Sequence, residues 1–320
     1  MMEPSHVLSE ITKNYDDRYW WRERIQERAI SPVLKAIYSQ EGVDVSSQDW
    51  DNLLVLDACR SDMFESVVGT GEFDEYRTVR SQGSSSPDWI SANFADRELG
   101  DVVYITANPW VAKEAPSSFH KIVDVWAKEQ GENESLDTTE LAQRDLATSP
   151  AATVTAQRLN TVVKEVATEY PNKRYIVHYF QPHAPCIGNR DGSIKDETEI
   201  DLVHHPGKPL YEGRVSREDV WTAYEENLAY VVTHAQHIAE ELGGKSVFTA
   251  DHGELFGDWL WPFPVRGYAH PQGLHHPKLL TVPWAEKTVG SRRDIRSGSV
   301  SKTETTTEDV TQQLEKLGYL

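Results

Sequence analysis

The stretch "SVFTADHGELFGD", residues 246–258, sets the problem of the fold. Five residues of apolar or small character run into Asp251 and His252, with Glu254 and Asp258 close behind. A run that short, apolar throughout and ended by turn formers, suits a strand buried on both faces. Three further runs share its form: "LLVLD" (53–57), "VVYIT" (102–106, followed by "ANPW") and "YIVHYF" (175–180). Between them lie helical patterns. Residues 153–170 place Ala156, Leu159, Val162, Val163 and Val166 on one face, and residues 217–242 do the same with Val220, Tyr224, Leu228, Val231, Val232 and Ile238. Strands alternating with helices predict an α/β fold, a mostly parallel sheet sandwiched by helices.

The flanks read differently. Residues 1–48 are expected to form a helical N-terminal appendage, with Trp20, Trp21, Ile25, Ile30, Val33, Leu34 and Ile37 as packing positions. The main domain spans 49–290. Residues 291–320 are a connector and a closing helix, "TTEDVTQQLEKLGYL", capped by Thr306 or Thr307 and packed on the same domain. Residues 114–151 and 187–215 are polar and rich in turn formers, and are expected to be long loops near a site.

Composition narrows the function. The 320 residues carry 51 acidic and 32 basic side chains, a formal net charge of −19. That charge repels nucleic acid phosphates and anionic membrane surfaces, so neither is expected as a partner. An acidic surface also suits solubility in a high-salt, halophilic cytosol. Two cysteines, Cys59 and Cys186, are too few for a disulfide framework or a four-cysteine zinc site. No apolar signal core and no run of about 18 apolar residues occurs, so no membrane span is expected and the default location is the cytoplasm.

Ligands of parallel sheets bind outside the carboxyl ends of the strands. Asp57 follows the first run, His183 and Cys186 the third, and Asp251 and His252 the fourth. Two aspartates and a histidine make a reasonable donor set for a divalent metal such as zinc or manganese. A nucleophile is offered by "RSQGSSSPDW" (80–89). Pro87 suits the first turn of a helix, which would make Ser86 the N-cap with Ser85 just before it. Free backbone N–H groups and the positive end of the helix dipole there cradle a phosphate or sulfate. A metal on the same hydroxyl would make it a usable nucleophile at neutral pH.

Taken together, "NLLVLDACRSDMF", "GSSSPDW", "HYFQPHAP" and "TADHGELFGD" resemble the alkaline phosphatase/sulfatase superfamily, in the same order and at similar separations. The nearest likeness is to the sulfatase-like hydrolase/transferase proteins of archaea, over roughly residues 50–285. The resemblance implies Asp57, Asp251 and His252 as metal ligands and Ser85 as the nucleophile and a further ligand, with Ser84 and Ser86 left open. It implies His183 as a histidine for substrate or a second metal. In "YAHPQGLHHPKLLTVPW" (268–284) it implies His270 as a further catalytic histidine, with His275, His276 and Lys278 as alternatives. Arg60, Arg80 and Lys278 are candidate anion contacts.

Two departures shape the expected chemistry. Asp57 is followed by Ala58 where typical sulfatases have a second acid, and Trp89 stands where their C/S-x-P-x-R motif has arginine. A directly acting serine with zinc or manganese is therefore expected, rather than formylglycine with calcium. The expected activity is metal-dependent hydrolysis or transfer of a phosphate or sulfate ester through a serine. The substrate would be a small anionic ester, sugar- or lipid-linked among the options. Phosphoglycerate mutase-like isomerase chemistry is one alternative, and a non-catalytic binding protein that retains the fold is the other.

Overall fold

The computed structural model describes residues 12, 14–127, 153–186 and 206–317. In chain order its elements are α1 (Arg18–Ile25), a π-helical turn (Gln26–Ile30), α2 (Ser31–Ile37), β1 (Asn52–Leu56), α3 (Ser61–Val67), β2 (Glu75–Arg80), α4 (Ser86–Phe94), β3 (Leu99–Thr106), α5 (Trp110–Glu114) and β4 (Phe119–Asp124). There follow α6 (Ala156–Glu169), β5 (Arg174–Tyr179), α7 (Gly207–Glu212), α8 (Arg217–Leu242), β6 (Gly244–Thr249), β7 (Leu255–Trp259), β8 (Arg266–Ala269), α9 (Pro277–Leu280), β9 (Thr281–Val289) and α10 (Thr307–Lys316).

Seven strands form one sheet in the order β2-β9-β6-β1-β5-β3-β4, and β7 pairs with β8 in a separate hairpin. The pairs β6–β1, β1–β5, β5–β3 and β3–β4 are parallel, while β9 is antiparallel to both β6 and β2. Helices cover both faces of this mostly parallel sheet, and strand alternation divides the core between them. On β1, Leu54 and Leu56 join the cluster built with α6, α8 and α10, while Leu53 and Val55 join the cluster on the α4 side with Trp89, Ile90 and Phe94. On β3, Ile105 faces the first cluster and Tyr104 the second. Such two-faced burial leaves no polar face for a strand to show, which is why these runs read as continuously apolar.

Of the two predicted caps, one holds and one shifts. Thr306 opens α10 with a reciprocal capping box to Asp309, and Val310, Leu314 and Leu317 bury against the sheet. The helix at "GSSSPDW" begins one residue earlier than expected: its N-cap is Ser85, in extended conformation, and Ser86 is the first helical residue. Pro87 is therefore the second helical residue, where the missing N–H is still no loss.

The sequence reading misses β2, β4 and the β7–β8 hairpin. Of the two polar stretches expected to be loops, most lies outside the described residues; the described parts contain α5's last residue, β4 and α7. The packing roles expected at the N-terminus are also only partly met. Ile30 and Leu34 are buried against Leu255, Leu260 and Leu279, but Trp21, Ile25, Val33 and Ile37 are exposed.

Candidate metal centre

The carboxyl ends of β1, β3, β5 and β6 meet on the α4 side of the sheet, and each delivers a polar side chain there. Asp57 directly follows β1, Asn108 lies two residues past β3, His178 sits within β5, and Asp251 and His252 follow β6. All five are essentially without solvent exposure. Asp57, His178 and Asp251 each offer a donor atom, and these lie within 4.8 Å of one another. His252 Nε2 stands 3.6 Å from Asp57 Oδ1 and 3.4 Å from Asp251 Oδ2.

The first turn of α4 brings Ser86 into this cluster. Its Oγ donates to Asp251 Oδ2 at 2.7 Å, accepts from Asn108 Nδ2 at 2.9 Å, and lies 3.5 Å from His252 Nε2. Asn108 Nδ2 also donates to Asp57 Oδ2 at 2.7 Å. Ser85, the expected nucleophile, is placed differently. Its carbonyl accepts the first helical hydrogen bond, from Trp89, and its buried Oγ has no hydrogen-bond partner among the described residues. Ser84 is tied to Asp88 and to the Pro271 carbonyl. The tight approach of this loop to the helix requires Gly83, where a Cβ would fall 2.2 Å from the Trp89 nitrogen.

Backbone detail fixes the two metal-ligand candidates from β6. Asp251 Oδ1 accepts from the N–H groups of His252 (2.9 Å) and Ala58 (3.1 Å). Ala58, which stands where a second acid was expected, holds a left-handed φ of 59° and so turns its N–H toward Asp251. Gly253 serves a close approach of two backbone segments. Its N–H donates to the Leu279 carbonyl at 2.8 Å, and a Cβ there would fall 2.1 Å from the Lys278 oxygen. His252 Nδ1 bonds the Gly253 carbonyl at 2.9 Å, so the proton sits on Nδ1 and the Nε2 lone pair faces the carboxylates. His178 is oriented likewise by the Tyr104 hydroxyl, 2.8 Å from its Nδ1.

The electrostatics ask for a cation. Burial, reinforced by the charge of Asp251, pushes the Asp57 carboxyl well above the ordinary range. Burial also acts to raise Asp251, but His252, His178 and the Ser86 hydroxyl overcome it and hold that carboxyl low. Burial lowers His252 in spite of Asp251 beside it. Asp57 Oδ1 and His178 Nε2 are buried without a hydrogen-bond partner among the described residues. Two carboxylates and two imidazole nitrogens converging, without a Lys or Arg among the described residues, fit a divalent ion of the zinc or manganese type.

A second cluster adjoins the first. Donor atoms of His183, Glu254 and His270 also lie within 4.8 Å of one another. His270 Nδ1 is 2.8 Å from Glu254 Oε2, and its ring centroid is 4.6 Å from that of His252. Burial disfavours a charged His270, but Glu254 beside it raises its pKa overall. A cavity of about 640 Å³ opens over this cluster, walled by Tyr19, Glu23, Arg24 and Glu27 of the N-terminal helices and by Lys208 and Gln272.

Several expected site residues lie elsewhere. Arg60 is buried but committed: it forks onto Asp62 (2.9 and 2.7 Å), pairs with Asp258 (2.9 Å) and donates to the Glu254 carbonyl (3.1 Å). Arg80 donates to the carbonyls of Tyr38 and Gln40. Lys278 pairs with Asp62 at 2.6 Å, His275 faces the Tyr38 carbonyl and His276 the Trp259 carbonyl. The Arg60 donors serve the scaffold, because a fork already filled by carboxylates and a carbonyl has little left for an anion. Cys186 is a buried thiol pushed up to about 12 by burial, which makes it a poor thiolate ligand.

Three residues of these clusters escape a census taken strictly after the strands. His178 interrupts the apolar run "YIVHYF", and a histidine on a core-facing strand position is the signal. Asn108 obeys the strand-end rule but is neither acid nor imidazole. Glu254 precedes a strand rather than following one; it is only 5% exposed and lines the cavity walled by the N-terminal helices.

No family model matches the chain, and no curated protein matches it either. Among solved structures, the soluble domain of lipooligosaccharide phosphoethanolamine transferase A from Neisseria meningitidis is similar at 14% identity, over 74% of this chain and 75% of that one, with a TM-score of 0.46. The full integral membrane form gives 14% identity and a TM-score of 0.49, over 89% of this chain; this chain spans 55% of its length. A protein in the alkaline phosphatase superfamily from Vibrio parahaemolyticus gives 13% identity over 83% and 70%, with a TM-score of 0.35. Among the described residues no helix is long and apolar enough to cross a membrane. At such identities and scores these likenesses carry no function over, and the case for this chain rests on its own side chains.

Proposed function

We propose that this protein is a metal-dependent phosphoester hydrolase or transferase whose nucleophile is Ser86. The observation that carries the reading is the position of the Ser86 hydroxyl: first turn of a helix, buried, and in hydrogen-bond contact with Asp251 and Asn108 inside a four-donor acid–imidazole cluster. Asp57, His178, Asp251 and His252 would hold a divalent ion. When bound, that ion supplies a Lewis acid that lowers the hydroxyl's pKa and offsets developing charge.

The chain's own groups account for the remaining requirements. Asp251 accepts the Ser86 proton's hydrogen bond and aims the oxygen, while Asn108 holds Ser86 and Asp57 in register. Attack of Oγ on phosphorus forms the O–P bond as the ester oxygen leaves with its electron pair. The N-terminal N–H groups of α4 point at the transferred group and favour its negative charge. His183 and His270 line the floor of the adjoining cavity, where either imidazole is placed to bind the ester or to protonate the leaving oxygen. Water or a second alcohol then takes the phosphoryl group from the serine. Room for a second cation at His183, Glu254 and His270 favours a phosphoryl group, with its additional anionic oxygen, over a sulfuryl group.

The test compares Ser86→Ala with Ser85→Ala on aryl phosphate, phosphodiester and aryl sulfate panels, in the presence of zinc or manganese. Ser86→Ala is expected to lose on the order of 10³-fold or more in kcat with metal binding retained through the other donors. Full activity in Ser86→Ala, or loss confined to Ser85→Ala, refutes the assignment.

A further inference from the structure

Among the described residues, the eight large apolar side chains that remain exposed all fall within residues 15–37 and 259–265. Trp261 is 67% exposed, Trp259 55% and Ile25 57%. They are not scattered. Trp21, Ile25 and Val265 line one shallow depression together with Arg18 and Arg266, and Arg266 lies over the Trp259 ring at 4.2 Å. Monomeric surfaces rarely carry so many large apolar groups in one region.

The same region reverses the charge of the chain. Residues 15–37 and 259–266 hold six basic and four acidic side chains, a net +2 in a protein whose net charge is −19. Arg18, Arg28 and Lys35 are exposed. The net charge alone argues against an anionic surface as partner, but screening over about 8 Å at physiological salt makes the local patch decisive. Tryptophan and isoleucine beside long-stemmed arginines are the composition that settles at a lipid headgroup boundary, where apolar bodies enter and charged tips stay at the phosphates. A second copy of the chain fits less well, because a two-fold interface would set this basic patch against itself.

We propose that this face is a membrane-docking surface that holds the protein peripherally on an anionic phospholipid bilayer. Trp21, Trp259 and Trp261 enter the headgroup region, and Arg18, Arg28 and Lys35 meet the lipid phosphates. The inner face of the same helical segment walls the cavity over His183 and His270, so docking sets the mouth of that cavity beside the bilayer. The proposal stands on the surface itself, independently of the catalytic assignment.

The experiment is co-sedimentation of the full chain with vesicles of equimolar phosphatidylcholine and phosphatidylglycerol, beside vesicles of phosphatidylcholine alone. Binding is expected to the anionic vesicles, to weaken with added salt, and to shift tryptophan emission to the blue. The combined variant Trp21→Ala, Trp259→Ala and Trp261→Ala is expected to bind at least ~10-fold more weakly with its melting temperature unchanged. Arg18→Glu with Arg28→Glu is expected to act in the same direction. Failure of the wild-type chain to sediment with anionic vesicles overturns the proposal, as does binding that neither variant weakens. A dimer in light scattering that the tryptophan variant dissolves, without vesicle binding, assigns the face to a second copy and also overturns it.

Discussion

Asp57→Asn separates the two demands placed on the metal centre. Asp57 and Asp251 are both fully buried, and their donor oxygens lie within 4.8 Å of each other. At an effective dielectric of about 20, two charges within that separation repel by about 3.5 kcal/mol or more. Without a metal the protein bears that repulsion or takes up a proton on Asp57, the carboxyl that burial and Asp251 push upward. Asparagine keeps the shape and lets its oxygen go on accepting from Asn108, now 2.7 Å from Asp57 Oδ2. Its amide nitrogen would replace Oδ1, which has no hydrogen-bond partner among the described residues and sits 3.6 Å from the His252 Nε2 lone pair. The substitution thus removes a charge and adds a donor where an acceptor waits. In chelator-treated protein, Asp57→Asn is expected to raise the melting temperature by about 7 °C, at about 2 °C per kcal/mol for a domain of this size. Metal should then reverse the order. Zinc or manganese at about 1,000 times its Kd stabilises the wild type by about 4 kcal/mol, and the variant by far less. Differential scanning fluorimetry with and without metal checks both halves. A metal-free variant that melts below wild type, with an undiminished response to metal, refutes the assignment of Asp57 to the site.

Three further outcomes are expected. Tyr104→Phe removes the hydroxyl that orients His178, so metal affinity should fall about 10- to 100-fold in a competition titration with melting of the metal-free protein little changed. Gly253→Ala drives a methyl onto the Lys278 carbonyl at 2.1 Å, and should cost about 1–3 kcal/mol of stability in denaturant titration and displace His252. Burial acts to raise the Asp62 carboxyl, but Arg60 and Lys278 overcome it and hold it well below the ordinary range. Its contribution is therefore present above the unfolded value of about 3.9 and is lost as pH falls through the lower folded value; Asp62→Asn should lower the melting temperature at neutral pH, with the gap closing in acid.

The parts of the fold that are legible in the sequence are those buried on both faces. β1, β3, β5 and β6 announce themselves because a central strand has nowhere to put a polar side chain. β2 does not, since "EYRTVR" lies at the sheet edge and none of its residues is buried. β4 is hidden for a like reason: its edge is covered by the 290–305 connector, whose Ser301 and Thr303 N–H groups bond the Phe119 and Pro116 carbonyls. The acids and histidine at the ends of β1 and β6 are legible because strand ends are where ligands bind. The choice among Ser84, Ser85 and Ser86 is not, because it turns on where a helix starts, and one residue of shift rotates the hydroxyl by about 100°. Glu254 is illegible for another reason: only the closing of distant segments over residues 251–258 takes it out of water.

Arg60 shows how the scaffold and the chemistry are tied. It follows Asp57 by three residues, reads as an anion-binding group, and instead spends its fork on Asp62 and Asp258 while stacking on Trp221. Yet one of its N–H groups reaches the Glu254 carbonyl, and its stem packs against Gly253. The turn that carries Asp251, His252 and Glu254 is thus held from one side by a buried guanidinium and from the other by the Leu279 carbonyl. Between those two supports His252 and Glu254 diverge, one to each cluster. The spacing of the two candidate cation sites is therefore set by the short backbone link from His252 to Glu254, braced by groups that belong to neither cluster. That is the condition for two ions to share one phosphoryl group: their separation must be fixed before the substrate arrives, because rearrangement during the reaction would add to its barrier.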